Sequence, residues 1–144
     1  MKIKDSMEKA NEILGLVYEM KKKCAAIDNQ LMEHLQLSQS ELLFFSSLDQ
    51  CTGISSPELA RNMGLSPSRI SRVIENLVVD GYLDRNPDKT DRRAITLCLT
   101  ESGKKIKAEI DRSRQECEAR LLNVLPESDV EKFREIIGAM IREM

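Results

Sequence analysis

Aromatic side chains are scarce in this sequence of 144 residues: there is no Trp, with only two Tyr and three Phe. So few flat rings disfavour any binding mode in which successive bases of a single strand stack on the protein. The one His, His34, leaves acid–base chemistry and histidine-rich metal sites without their usual groups. The four Cys, at positions 24, 51, 98 and 117, form no C-x-x-C pair, which removes zinc-ribbon and thioredoxin-like readings. No Ser-His-Asp or Cys-His pattern occurs, and no phosphate loop. We therefore expect no enzyme, no cofactor and no metal site. No apolar run approaches the roughly 20 residues of a membrane helix. The opening Met1-Lys2-Ile3-Lys4-Asp5 lacks the apolar core of a signal peptide, so the expected location is cytoplasmic, with no membrane partner. Low-complexity segments and internal repeats are also missing.

What is present suits one mostly helical domain large enough to bury a core: charged residues make up 32% of the chain, with abundant Leu, Ile, Glu and Lys. The net charge of −2 argues at first against a nucleic-acid partner. Its distribution matters more than its sum. Between Arg61 and Arg93, seven basic residues face five acidic ones, so this stretch is positive while the remainder is negative. That segregation is modest and permits a nucleic-acid partner without requiring one.

Hydrophobic spacing predicts the elements. From about Met7 to Leu35, apolar residues including Ile13, Val17, Cys24, Ile27 and Leu31 recur at three- and four-residue intervals, as on one face of a long helix. Ser38-Gln39-Ser40-Glu41 is a capping box starting a second helix that should run to about Gln50 and end at Thr52-Gly53. Ser55-Ser56-Pro57-Glu58 starts a third through Met63, which Gly64 closes. Ser66-Pro67 opens a fourth that stops at Gly81. Two strands are expected, Tyr82 to Asn86 and Ala94 to Leu99, around a turn from Pro87 to Arg92. Thr100 can cap a fifth helix reaching Leu125, with Glu101 near its positive end. A sixth follows Pro126, with a capping box at Ser128 to Glu131. The stripes Val130, Phe133, Ile137, Met140 and Ile106, Ile110, Cys117, Leu121, Val124 either pack on each other or form a homodimer; the dimer is the preferred reading, because little chain remains to cover them.

The third and fourth helices have a helix–turn–helix layout with Gly64 at the turn. In the fourth, Ile70, Val73, Ile74 and Leu77 share the core face, which leaves Ser68, Arg69, Ser71 and Arg72 outside near the N-terminus. Recognition helices present that end to base edges, where arginines reach guanines or phosphates and serines take phosphates. Downstream, Asp91-Arg92-Arg93 puts two arginines at a hairpin tip that does not need them for folding. The run Leu65 to Arg85, followed by Asp88 to Gly103 at the matching spacing, resembles the recognition helix and wing of the MarR family of transcriptional regulators. The likeness implies a mainly α fold with a small β-hairpin (α+β), a winged helix-turn-helix with N- and C-terminal dimerisation helices. Residues 1–36 and 101–144 would form the dimerisation region, and residues 37–100 the DNA-binding domain. It further implies a homodimeric regulator, a repressor in the preferred reading, on a pseudo-palindromic operator in double-stranded DNA. The expected DNA-binding residues are Ser66, Ser68, Arg69, Ser71, Arg72, Asp91, Arg92 and Arg93. In the family the arginine matching Arg93 enters the minor groove and the acid matching Asp91 steadies it, whereas the position of Arg92 varies.

A small-molecule effector of unidentified chemistry is expected between the terminal helices and the winged domain. Cys24, Cys51 and Cys117 lie on apolar stripes and are expected in the core; Cys98 is the expected exposed thiol and the candidate redox residue. His34 is expected on the surface. The alternatives are a thiol-based redox regulator of the same fold, or a winged-helix protein-interaction module without DNA binding.

Overall fold

The computed structural model describes residues 2–48, 56–87 and 95–143. Six helices and one hairpin follow in order: α1 (Lys2–Leu35), α2 (Gln39–Ser46), α3 (Ser56–Met63), α4 (Pro67–Val79), β1 (Leu83–Pro87), β2 (Ile95–Leu99), α5 (Glu101–Val124) and α6 (Glu127–Glu143). The mainly helical fold with one small antiparallel sheet is the expected one.

Local chemistry accounts for most boundaries. Ser38 Oγ accepts from the Glu41 N–H at 3.3 Å, and the Glu41 carboxylate accepts from the Ser38 N–H at 2.7 Å, completing the capping box of α2. Three helices end with the same backbone closure, in which an N–H reaches a carbonyl five residues back. Leu37 bonds to Met32 at 3.0 Å, Leu65 to Ala60 at 3.1 Å, and Tyr82 to Leu77 at 2.8 Å. Each closure needs a left-handed residue just before it. Gly64 (φ 60°) and Gly81 (φ 76°) supply two, and Gln36 (φ 55°) supplies the third, its side chain donating to the Glu33 carbonyl at 2.6 Å.

Several boundaries differ from the periodicity. Helix α1 starts at Lys2 and not near Met7. Helix α2 ends at Ser46, well short of Gln50, because Ser47 Oγ donates to the Leu43 carbonyl at 2.8 Å while its N–H turns back to Leu43 and Phe44. Thr52-Gly53 lies outside the described residues, as do Ser55 and Cys51. Pro87 belongs to β1 and not to the turn. Helix α6 starts at Glu127, where the Pro126 carbonyl accepts from the Asp129 N–H at 2.8 Å, so Ser128 sits inside the first turn instead of capping it.

The core lies under the helix–turn–helix. Phe44, Phe45, Leu59, Ile70, Leu77 and Ile110 are completely buried. Phe45 meets Phe44 edge to face at 5.7 Å and Tyr82 at 6.3 Å, joining α2 to the residue that leads into the hairpin. Strands β1 and β2 pair antiparallel, with Leu83 opposite Leu99 and Pro87 opposite Ile95. The N-terminal half of α5 closes the core at Ile110. Gly103 is essential to that closure: a Cβ there would stand 2.1 Å from the Tyr82 carbonyl oxygen. The rest of α1, the second half of α5 and all of α6 leave their apolar faces open within the protomer. Leu16 is 69% exposed, Val124 79% and Ile141 69%.

Candidate nucleic-acid interface and effector groove

The outer face of α4 is built by its inner one. Ile70, Val73, Ile74 and Leu77 are buried, which fixes the helix rotation and turns Ser68, Arg69, Ser71 and Arg72 to solvent as expected. Ser66 caps the helix by backbone geometry alone, while its hydroxyl lies 3.2 Å from that of Ser68. Both residues are exposed, and whichever hydroxyl accepts in this pair keeps its own proton for an acceptor beyond the protein. Among the described residues, Arg69 and Arg72 have no ion-pair partner. The two arginines, with Asn76, also line a recess of about 230 Å³ against Ser38 and Ser40 at the start of α2. The sequence pattern around Ser38 shows only its capping role. Its approach to α4 depends on packing between helices and leaves no local pattern.

Asp91, Arg92 and Arg93 fall outside the described residues, in the segment 88–94 that joins the hairpin strands. The strand that follows them, β2, is anchored just past its end. Thr100 Oγ1 accepts from the Gly103 N–H at 3.0 Å, capping α5, and donates to the Gly81 carbonyl at 2.6 Å. The wing is thereby tied to the end of the recognition helix. Beside this cap, a hydrogen bond from Lys104 and its positive charge hold the Glu101 carboxyl below its ordinary value.

A larger groove of about 590 Å³ opens between α1, α2 and α5. Ile27, Leu31, Met32, Leu42, Ile110 and Cys117 form its apolar wall, with Asp28, Arg114 and Glu118 among its charged residues. Arg114 Nη1 donates to the Ser46 carbonyl at 3.0 Å, joining α5 to the last turn of α2. This groove lies in the region where an effector is expected, and the spacing of the sequence does not identify its lining.

Two cysteine expectations are corrected. Cys24 is exposed, because α1 before Ile27 extends past the core and most of its described apolar stripe, Ile13, Leu14 and Met20 included, is left open. Cys98 is half-buried and not the open thiol, since its cross-strand neighbour Asp84 flanks it on the paired hairpin. Cys117 is also half-buried. His34 is on the surface, its side chain 71% exposed and 3.3 Å from Glu109. Among the described residues, no group of three His, Cys, Asp or Glu is placed to hold a metal ion. No described helix is long and apolar enough to cross a membrane.

The sequence profile of the MarR family matches residues 30–95, from the end of α1 to the start of β2. That segment, a little under half of the chain, is similar to the MarR family of transcriptional regulators. The chain is 24% identical over 105 residues to the multiple antibiotic resistance protein MarR of Salmonella typhimurium, covering 70% of this chain and 72% of that one. It is 25% identical over 96 residues to the helix-turn-helix transcriptional regulator YybA of Bacillus subtilis, covering 67% of this chain. It spans 64% of the length of YybA, just under two thirds. The fold is similar to that of CouR from Rhodococcus jostii RHA1 bound to p-coumaroyl-CoA, with a TM-score of 0.68 and 21% identity across 87% of this chain and 88% of that one. The likeness shows the winged-helix fold of this chain.

Proposed function

We propose that this protein is a homodimeric repressor that grips a pseudo-palindromic operator in double-stranded DNA, and that a small molecule in the groove between α1, α2 and α5 modulates the grip. The observation that carries the reading is the exposed quartet Ser68, Arg69, Ser71 and Arg72 on a helix whose opposite face is locked into the core. Such a face can enter a major groove without rearranging the protein. Arg92 and Arg93 at the wing would add a minor-groove contact, Arg93 steadied by Asp91, since a narrow A·T-rich groove concentrates negative potential.

In this reading residues 37–100 are the DNA-binding domain, and residues 1–36 with 101–144 form the dimerisation region. The open apolar faces of α1, α5 and α6 support a second copy as their cover. The acyl-CoA ligand of CouR and the groove of about 590 Å³ support an effector, and the cytoplasm is the proposed location.

Selection from random duplex DNA followed by gel-shift titration tests the proposal. We expect one enriched two-fold symmetric sequence, bound with an affinity that falls steeply as salt rises. No enrichment, with binding insensitive to salt, would instead favour a winged helix that recognises a protein partner.

A further inference from the structure

We infer that the groove between α1, α2 and α5 selects a cationic amphipath, an amine on an apolar or aromatic body; the inference rests on the reading of this groove as the effector site. The groove offers apolar walls at Leu31, Met32, Leu42 and Ile110, which suit a hydrophobic body. Its charge is unequal: Asp28 on α1 and Glu118 on α5 face one cation, Arg114.

That cation is already engaged. Arg114 Nη1 donates at 3.0 Å to the Ser46 carbonyl, in the last turn of α2, where the helix dipole is negative and favours a guanidinium. An incoming carboxylate would share an Arg114 already turned toward this carbonyl while meeting two like charges. An ammonium meets the two carboxylates directly and leaves the tie between α5 and α2 intact. Among the described residues neither Asp28 nor Glu118 has an ion pair, so both remain available. The carboxylates lie on different helices of one groove, so both α1 and α5 contribute negative charge to it, while α2 adds apolar wall at Leu42. Both are exposed, so the selectivity must weaken as salt rises.

The test uses three ligands that share one body: 4-phenylbutylamine, 4-phenylbutanol and 5-phenylpentanoate. Their affinities for the full-length protein are measured by calorimetry at neutral pH and low salt. The amine should bind about tenfold more tightly than the carboxylate, with the alcohol between them. Asp28→Asn and Glu118→Gln should each narrow that gap, and together they should close it without changing the affinity for the alcohol. Both substitutions are at exposed positions, and each single variant serves independently should the double variant unfold. Carboxylate binding equal to or tighter than amine binding overturns the charge assignment while leaving the groove as a ligand site. A preference for the amine that survives in the double variant overturns it too. If none of the three binds at millimolar concentration, the reading of the groove as the effector site fails as well.

Discussion

The Thr100 hydroxyl donates to the Gly81 carbonyl at 2.6 Å, so the residue that ends the wing is bonded to the residue that ends the recognition helix. The same oxygen accepts from the Gly103 N–H. One side chain therefore sets the hairpin against α4 and starts α5. Thr100→Val keeps the shape and removes both bonds. We expect a stability loss of about 1–2 kcal/mol by urea denaturation, with a smaller fall in operator affinity from a less firmly held wing.

Gly103 packs its backbone onto the Tyr82 carbonyl with no space for a methyl group. Because the obstruction is backbone, it cannot be relieved by rotating a side chain. Gly103→Ala should cost roughly 2–3 kcal/mol, more than Thr100→Val, and lower the melting temperature accordingly. Unchanged melting would mean that α5 can slide from the hairpin without penalty.

Arg93→Ala is expected to weaken operator binding by more than about tenfold while leaving the dimer intact, since a minor-groove arginine meets an enhanced negative potential. Arg69→Ala and Arg72→Ala should cost about 1–3 kcal/mol each on the selected operator if they read base edges, and much less on random duplex. Equal losses on both DNAs would reassign these two arginines to phosphates. Gel-shift titrations at fixed salt distinguish the cases.

Ile136 is 50% and Ile141 69% exposed in the protomer, and Val130, Phe133, Ile137 and Met140 on the same helix are only half-buried. A charge there cannot be desolvated against a second copy without a large penalty. The pair Ile136→Glu and Ile141→Glu should convert a dimer to a monomer by light scattering while helical content is retained. A dimer that persists would place the subunit contact elsewhere.

Acid should loosen α6. The Glu131 carboxyl is held below its ordinary 4.5, first by the hydrogen bond from Arg134 and then by its charge. A carboxyl whose folded value is depressed stabilises the fold above its unfolded value, and that contribution disappears as pH falls through the lowered one. The stability difference between the wild type and Glu131→Gln should therefore be small near pH 6 and vanish in strong acid. High salt should reduce it, because the pair is fully exposed. A difference that grows on acidification would refute the sign.

Interactions within a few residues were legible in the sequence because their physics is local. The Ser38 to Glu41 capping box, the turns at Gly64 and Gly81, the apolar face of α4 and the Thr100 cap each follow from short spacings. They also place the Ser68, Arg69, Ser71 and Arg72 face without reference to the rest of the chain. The end of α2 was misplaced because one hydroxyl, on Ser47, competes with the helix for the Leu43 carbonyl. Helix α1 appeared to be a core helix, with Cys24 buried, because periodicity records which face is apolar and not what covers it.

The tertiary structure alone decided the remainder. Arg114 meets Ser46 across 68 positions of sequence, Thr100 meets Gly81 across 19, and the Gly103 backbone lies against Tyr82. Local propensity determined which segments are helix or strand and which way their faces point. The groove between α1, α2 and α5, the tie between hairpin and α4, and the exposure of Cys24, Cys98 and Cys117 depend on which surfaces meet, and that is settled only when distant segments bury their apolar faces together.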